Sequence, residues 1–344
     1  MRTAACTLVL IVNCTLTAYP QENAVNVPVR ILFYNVENLF DTYDDIAGKD
    51  EEFLPDGTRR WTRKRYENKI NSIYKTLMAA GSWSPPAVVG LCEVENRRVL
   101  EDLVHGTYLS RFDYDIVHED SDDERGIDVC MIFRPDQARL LSYRYLKPYS
   151  VSGEALRTRS VLYAKLLVLG DTLHLLINHW PSRRGGVLTG ESSRSRIALM
   201  IRHVTDSLGS ISCGKARVLI MGDFNCPPDD HIMQSLAGQS QGKANENGLS
   251  LVNLAVKAGK SVKGTYKYRG AWETIDQMLA SDHLLGCSKG LAADSLGFKV
   301  FSPEFLLCND EKYTGSAPFS TYRGYRYQGG ISDHLPVFLD LFLR

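Results

Sequence analysis

The chain has 344 residues, room for one large domain or two small ones, and its 44% hydrophobic content is ordinary for a globular core. Lys plus Arg and Asp plus Glu number 40 each, so the formal net charge is zero. This excludes a histone-like nucleic-acid binder, which carries a strong basic excess, and still permits an enzyme with a local basic patch.

Met1 and Arg2 precede an apolar stretch from Ala4 to Val12, short for a membrane span and suited to a signal peptide. A leader over 1–19 is expected, hence export to the periplasm or the medium, with lipid anchoring as a variant. "VRILFYNVENLF" (29–40) reads as a strand turning polar at Asn35 and Glu37, and 41–61 as an acidic loop. Tyr66, Ile70, Ile73, Tyr74 and Leu77 recur at helical spacing over 62–80, ended by Gly81 and Pro85–Pro86. "AVVGLCEVEN" (87–96) is a buried strand ending in charge, and "RRVLEDLVH" a short helix. Strands follow in "YDIVHED", "IDVCMIF" and "ARLLSYRYL". Gly170–Asp171 then splits two apolar runs as a hairpin turn would. A helix over 192–208 leads to "VLIMGDFN". A polar loop (238–249) and the strands "IDQMLAS", "FKVF" and "HLPVFLDLFL" complete the chain. Without repeats or linkers, this predicts a single α/β domain over 28–344, two packed sheets with helices outside. Six cysteines lie beyond the leader with no CxxC pair, which argues against a zinc ribbon. Cys92 and Cys130, inside apolar strands, read as small core residues, and export would permit disulfides.

Asp223 and Asn225 close an apolar strand two residues apart, on one face of an extended segment. An Asx turn would explain that pair alone. Asn35 with Glu37, Glu93, His179, and Asp333 with His334 also terminate or begin apolar strands, and Asp276 starts another. Strand ends of a packed sheet share one edge, and buried carboxylates need partners. Glu37, Glu93, Asp223 and Asp333 are hard oxygen donors suited to magnesium, manganese or calcium and not to zinc. A divalent cation with two histidines is the equipment of phosphoester hydrolysis. No GxSxG elbow is present, so serine hydrolysis has no support.

Through "NVEN", "LCEVEN", "NHWPS", "GDFN", "IDQMLAS" and "SDHLPV", in order over about 300 residues, the chain resembles the endonuclease/exonuclease/phosphatase superfamily. The resemblance implies a deoxyribonuclease-like four-layered α/β sandwich, two mixed β-sheets between helices. It implies Asn35, Glu37, Glu93 and Asp333 about a metal, with His179 at the scissile phosphate. It places Asp223 at the nucleophile, Asn225 on a phosphate oxygen, Asp276 orienting a histidine or metal-bound groups, and His334 at the phosphate. The general base is Asp223 or His334.

Arg183 and Arg184 follow His179, and Arg157 and Arg159 approach the preceding strand, where they could bind phosphate. Tyr266, Tyr268 and Trp272 precede Asp276. Trp272 is the expected stacking platform and Arg125 the expected further substrate contact. The reading is a magnesium- or manganese-dependent phosphodiesterase, calcium being possible. An exported nuclease is favoured; the alternative is a phosphatase or phosphodiesterase of a small or lipid substrate. A monomer without a stable protein partner is expected.

Overall fold

Alternation along the first strand decides the layering. In Val29–Leu39, Ile31 and Phe33 point to one face, while Leu32, Tyr34 and Val36 point to the other. Both faces are apolar, so both must be covered. The structure, a computed structural model, describes residues 27–45, 50–82, 84–183, 187–238, 249–259 and 263–344. The expected leader over 1–19, Arg184 and most of the 238–249 loop lie outside the described residues.

One sheet runs Leu291–Ala293, Val337–Leu343, Val29–Leu39, Val88–Val94, Asp128–Phe133, Asp115–Val117, with Lys299–Val300 also on Val337–Leu343. The other runs Ala138–Leu146, Val161–Val168, Asp171–His179, Arg217–Asp223, Asp276–Ser281, Leu251–Asn253. Each is mixed: Val29–Leu39 is parallel to Val88–Val94, and Asp171–His179 to Arg217–Asp223, amid antiparallel pairs. Ile31, Phe33 and Met131 of the first sheet meet Leu175, Ile177 and Met221 of the second in the central core. The outer face of the first sheet packs on Arg63–Ala80 and Arg97–His105 through Ile70, Ile73, Leu77 and Leu100. The outer face of the second packs on Val187–Ile211 and His231–Leu236 through Ile197, Ile201 and Met233. The result is the four-layered α/β sandwich. Gly90 lets the sheets meet: a Cβ there would lie 2.6 Å from Met221 Cε and 2.9 Å from Ile177 Cγ2.

Two expectations change. The 41–61 stretch contains a 3-10 turn, Glu51–Phe53, and enters the core: Phe53 stacks on Phe40 at 4.2 Å and the Trp61 indole donates to the Phe40 carbonyl at 2.9 Å. Its polar composition hid two buried aromatics. The helix expected at 192–208 begins at Val187, because the low helix propensity of Gly190 masked its first turn. Leu169 and Gly170, at φ +50° and +85°, make the expected hairpin turn. The six described cysteines are free thiols, with Cys92 and Cys130 buried in the core.

Candidate active site

Strand register delivers the polar residues to one edge. His179 pairs with Asp223 across the parallel ladder, and Asp223 with Asp276 across the antiparallel one, so three neighbouring strands present them at one level. Opposite, in the first sheet, Asn35 pairs with Cys92, after which the register shifts on both sides of the Val88–Val94 strand. Glu37, Asn38, Glu93 and Asn225 have φ of +51°, +52°, +62° and +50°. Asparagine tolerates this left-handed region; glutamate does so at a cost of roughly 1–3 kcal/mol. The irregular ladder redirects side chains that a regular strand would aim into the core. Gly222 allows the strands to close here, since a Cβ would lie 2.3 Å from the Asn178 carbonyl oxygen.

Asp223 is the hub and is 1% exposed. Its Oδ2 accepts from Asn35 Nδ2 at 3.1 Å, and its Oδ1 from the Asn225 amide at 2.9 Å. His179 Nε2 and His334 Nε2 each stand 3.8 Å from Asp223 Oδ2. His334 Nδ1 meets Asp276 Oδ2 at 2.8 Å, and the Ser332 hydroxyl accepts from its backbone amide at 3.0 Å. His179 Nε2 also lies 3.7 Å from Glu93 Oε1, while Glu93 Oε2 accepts from the Asn38 amide at 2.9 Å. Side chains from both sheets, distant in sequence, thus meet in one cluster.

The two histidines carry opposite tendencies. Burial opposes charge on His334, but Asp276 and Asp223 outweigh it and raise its pKa well above the usual range. Burial, reinforced by Arg159 and Arg125, holds His179 well below it, hence neutral. Burial pushes Asp223 up to about 7, with Asp276 adding to the rise against the pull of His334. Titratable groups displaced in opposite directions within one cleft mark an acid–base site.

A profile of the Endonuclease/Exonuclease/phosphatase family matches residues 30–342. The chain belongs to this family. The fold is similar to those of solved structures at low identity. D. rerio TDP2 complexed with single-strand DNA product has TM-score 0.55 and 14% identity, over 91% of this chain and 98% of that one. The human Nocturnin catalytic domain has 0.54 and 17%, over 92% and 96%. The endonuclease/exonuclease/phosphatase from Bacteroides vulgatus has 0.55 and 14%, over 92% and 100%. No curated protein matches the sequence. The chain is a metal-dependent hydrolase of phosphoester bonds.

The donor set fits a hard divalent cation. Glu93 and Asp333 line the cleft with oxygens, and Arg125 stands 3.4 Å from Glu93 Oε1. Burial would raise Glu93, yet Arg125 and then His334 hold it below the usual carboxylate range, so it is an anion. Ligand atoms of Asp223, Asp276 and His334 also lie within 4.8 Å of one another, but the His334–Asp276 bond commits that pair to each other. Glu37 is engaged by backbone amides. Its carboxylate accepts from the Thr321 amide at 2.7 Å and the Tyr322 amide at 3.2 Å, and Lys69 Nζ donates to its carbonyl at 2.5 Å. Glu37 therefore ties the first strand to Thr321 and to Tyr322 at the start of the short Tyr322–Arg323 strand, and no feature of the sequence marked Lys69 as its buried partner. Asn35 is similarly engaged, its Oδ1 accepting from the Glu37 amide at 3.0 Å, and it positions Asp223.

The cleft over this cluster encloses about 820 Å³, within the usual range for ligand sites. Trp272 is not among its lining residues. Opposite residues of a hairpin share a face, and Trp272 pairs with Lys267, packing on the outer core beneath Lys263. The alternate residues Tyr266 and Tyr268 line the cleft, with the Tyr266 ring 4.9 Å from that of His334. Phe53 and Arg59 line it too, unforeseen because 41–61 read as loop. Arg125 and Arg183 reach the cleft already partnered, Arg125 by Asn38 Oδ1 at 2.7 Å and Arg183 by Glu273. Arg159 is buried against Asp123 at 2.7 Å, and Arg157 stands 3.8 Å from Glu124.

Proposed function

We propose that the protein is an exported, magnesium-dependent phosphodiesterase acting on single-stranded or frayed nucleic acid. The observation that carries this reading is the cluster of Asp276, His334 and Asp223 at the floor of an aromatic-walled cleft. A bound cation would be held by Glu93 and Asp333 and would neutralise phosphate oxygens. With His334 kept cationic by Asp276, it cannot also take a proton, so the base is Asp223. Asn35 and the Asn225 amide fix the Asp223 carboxylate to orient and deprotonate the attacking water. His334 as a cation and His179 as a neutral donor face the non-bridging oxygens, where charge develops. Asn225 also lines the cleft, one amide hydrogen engaged by the Trp180 carbonyl at 3.0 Å, and remains the candidate for a phosphate oxygen.

Tyr266, Tyr268 and Phe53 offer faces on which an unstacked base can lie. The D. rerio neighbour, in complex with a single-strand DNA product, shares this fold. Among the described residues, the arginines near the cleft are already ion-paired, Arg125 with Glu93, Arg159 with Asp123 and Arg183 with Glu273, and this favours a short or flexible substrate over a duplex backbone. The same pairing supports a second reading, a phosphoesterase of small or lipid substrates. Purified protein with magnesium, assayed on plasmid DNA, a single-stranded oligonucleotide, bis-p-nitrophenyl phosphate and p-nitrophenyl phosphate, separates the two. Oligonucleotide cleavage well above plasmid cleavage is expected; activity on the monoester alone overturns the proposal. Export is tested by the mass of the native protein, which should lack Met1 and begin between about Ala18 and Val27.

A further inference from the structure

The antiparallel ladder between Val29–Leu39 and Val337–Leu343 closes at Phe33, opposite Val337. Asn35, Asp333 and His334 all lie in the stretch beyond that pair, where side chains take over from the ladder. The Ser332 hydroxyl donates to the Asn35 carbonyl at 2.7 Å. Lys69 Nζ donates to the Glu37 carbonyl at 2.5 Å, to the Ile331 carbonyl at 3.1 Å and to the Thr321 hydroxyl oxygen at 2.5 Å. An ammonium has three donors, and here all three are used. Lys69 is 2% exposed and lies in the buried stripe of the Arg63–Ala80 helix, with Tyr66 and Ile73 one turn away on either side. Its acceptors are neutral oxygens, since the Glu37 carboxylate is taken by the Thr321 and Tyr322 amides. Stability alone does not call for such a cation, because apolar side chains of similar volume commonly replace buried charge without loss. Burial lowers the Lys69 pKa, and the carboxylates of Glu37, Asp333 and Glu93, in that order, oppose the fall.

We propose that Lys69 is a positioning residue for phosphoester hydrolysis: it stands in for ladder bonds between the first strand and the segment leading into Asp333, and so fixes Asp333 and His334 relative to Asn35. The inference rests on Asp333 as a cation ligand and His334 as a phosphate contact. Ile331 lies two residues before Asp333, and the Ser332 hydroxyl between them accepts from the His334 amide at 3.0 Å. Holding the Ile331 carbonyl therefore leaves little backbone freedom ahead of the two functional side chains. Asn35 is tied from the other side, its carbonyl to Ser332 and its Nδ2 to Asp223 Oδ2 at 3.1 Å. Lys69 acts through the backbone that it immobilises. Such support matters because a displacement of about 1 Å at the reacting groups costs about a hundredfold in rate.

The test compares the wild type with Lys69→Met, which keeps the bulk and removes all three donors, and with Asp333→Asn. Manganese affinity is read by calorimetry. Turnover is read at saturating manganese on the nitrophenyl ester that the wild type cleaves. Lys69→Met should weaken manganese binding by about 10–100-fold and lower kcat by a similar factor, with KM little changed because the cleft wall is untouched. Asp333→Asn should weaken manganese binding at least as much. Thr321→Val removes one acceptor and should give a smaller loss of the same kind, which Thr321→Ser, keeping the hydroxyl, restores. A lowered Tm in Lys69→Met with wild-type kcat and manganese affinity, while Asp333→Asn loses affinity, overturns the positioning role and leaves the ligand assignment standing. Wild-type manganese affinity in both variants overturns the two together. If Lys69→Met does not fold, the Thr321 variants decide: Thr321→Val with wild-type kcat and manganese affinity overturns the proposal.

Discussion

At the residue scale, His334 is held by two opposing demands. It must keep Asp276 company in a buried site and face the phosphate through its other nitrogen. His334→Ala should lower kcat by about 10²–10⁴ and also destabilise, because Asp276, 1% exposed, is left as an uncompensated anion. Adding Asp276→Asn should recover much of the Tm and none of the rate. Rate recovery in the double variant would show that His334 acts on stability alone. The aromatic hairpin gives a second contrast. Tyr268→Ala should raise KM for an oligonucleotide by about 5–100-fold, from a stacking contribution of roughly 1–3 kcal/mol, and leave a nitrophenyl diester almost unaffected. Trp272→Ala should lower Tm and change both substrates equally. Kinetics on the two substrates with melting curves from the same preparations check both outcomes.

At the element scale, the Val161–Val168 and Asp171–His179 strands bring Lys165 directly opposite His174. Burial first, then Lys165, push the His174 pKa down to about 4, while its Nδ1 meets the Tyr163 hydroxyl at 2.8 Å. The folded chain thus resists a proton that the unfolded chain takes up near pH 6.5. The His174 contribution to stability is complete above about pH 6.5 and is lost progressively as pH falls toward 4. His174→Gln should flatten the fall in denaturant midpoint across that window. An unchanged slope would assign acid sensitivity to the carboxylates alone. Elements also explain where sequence reading stopped. The periodic helix over 62–80 and the apolar strands were legible because burial imposes a period. Glu37 was not, because its left-handed backbone turns a residue that strand alternation would have grouped with the site.

At the scale of the whole molecule, two sheets must meet for the chemistry to exist, since Glu93 and Asn35 stand on one and His179, Asp223 and Asp276 on the other. Chelation should abolish phosphoester hydrolysis and magnesium or manganese should restore it, with the far-ultraviolet circular dichroism unchanged because both sheets have complete apolar cores. Full turnover after dialysis into excess chelator would contradict metal dependence.

The sequence by itself determined the layered class, through apolar runs too continuous for a one-sided sheet, and the composition of the site, through polar residues that end those runs. Hard oxygen donors with two histidines pointed to metal-dependent phosphoester hydrolysis, the activity that the family match shows. Tertiary structure alone decided which of those residues face the cleft. Asn35 and Glu37 serve as supports because each finds a partner that only the folded chain brings near, the Asp223 carboxylate for Asn35 and the Thr321 and Tyr322 amides for Glu37. Trp272 gave way to Tyr266 and Tyr268 because hairpin register, and not composition, sets which face meets the substrate. The charge states of His179 and His334 were equally out of reach, for a pKa is fixed by burial and neighbouring charge, and those neighbours are supplied by folding.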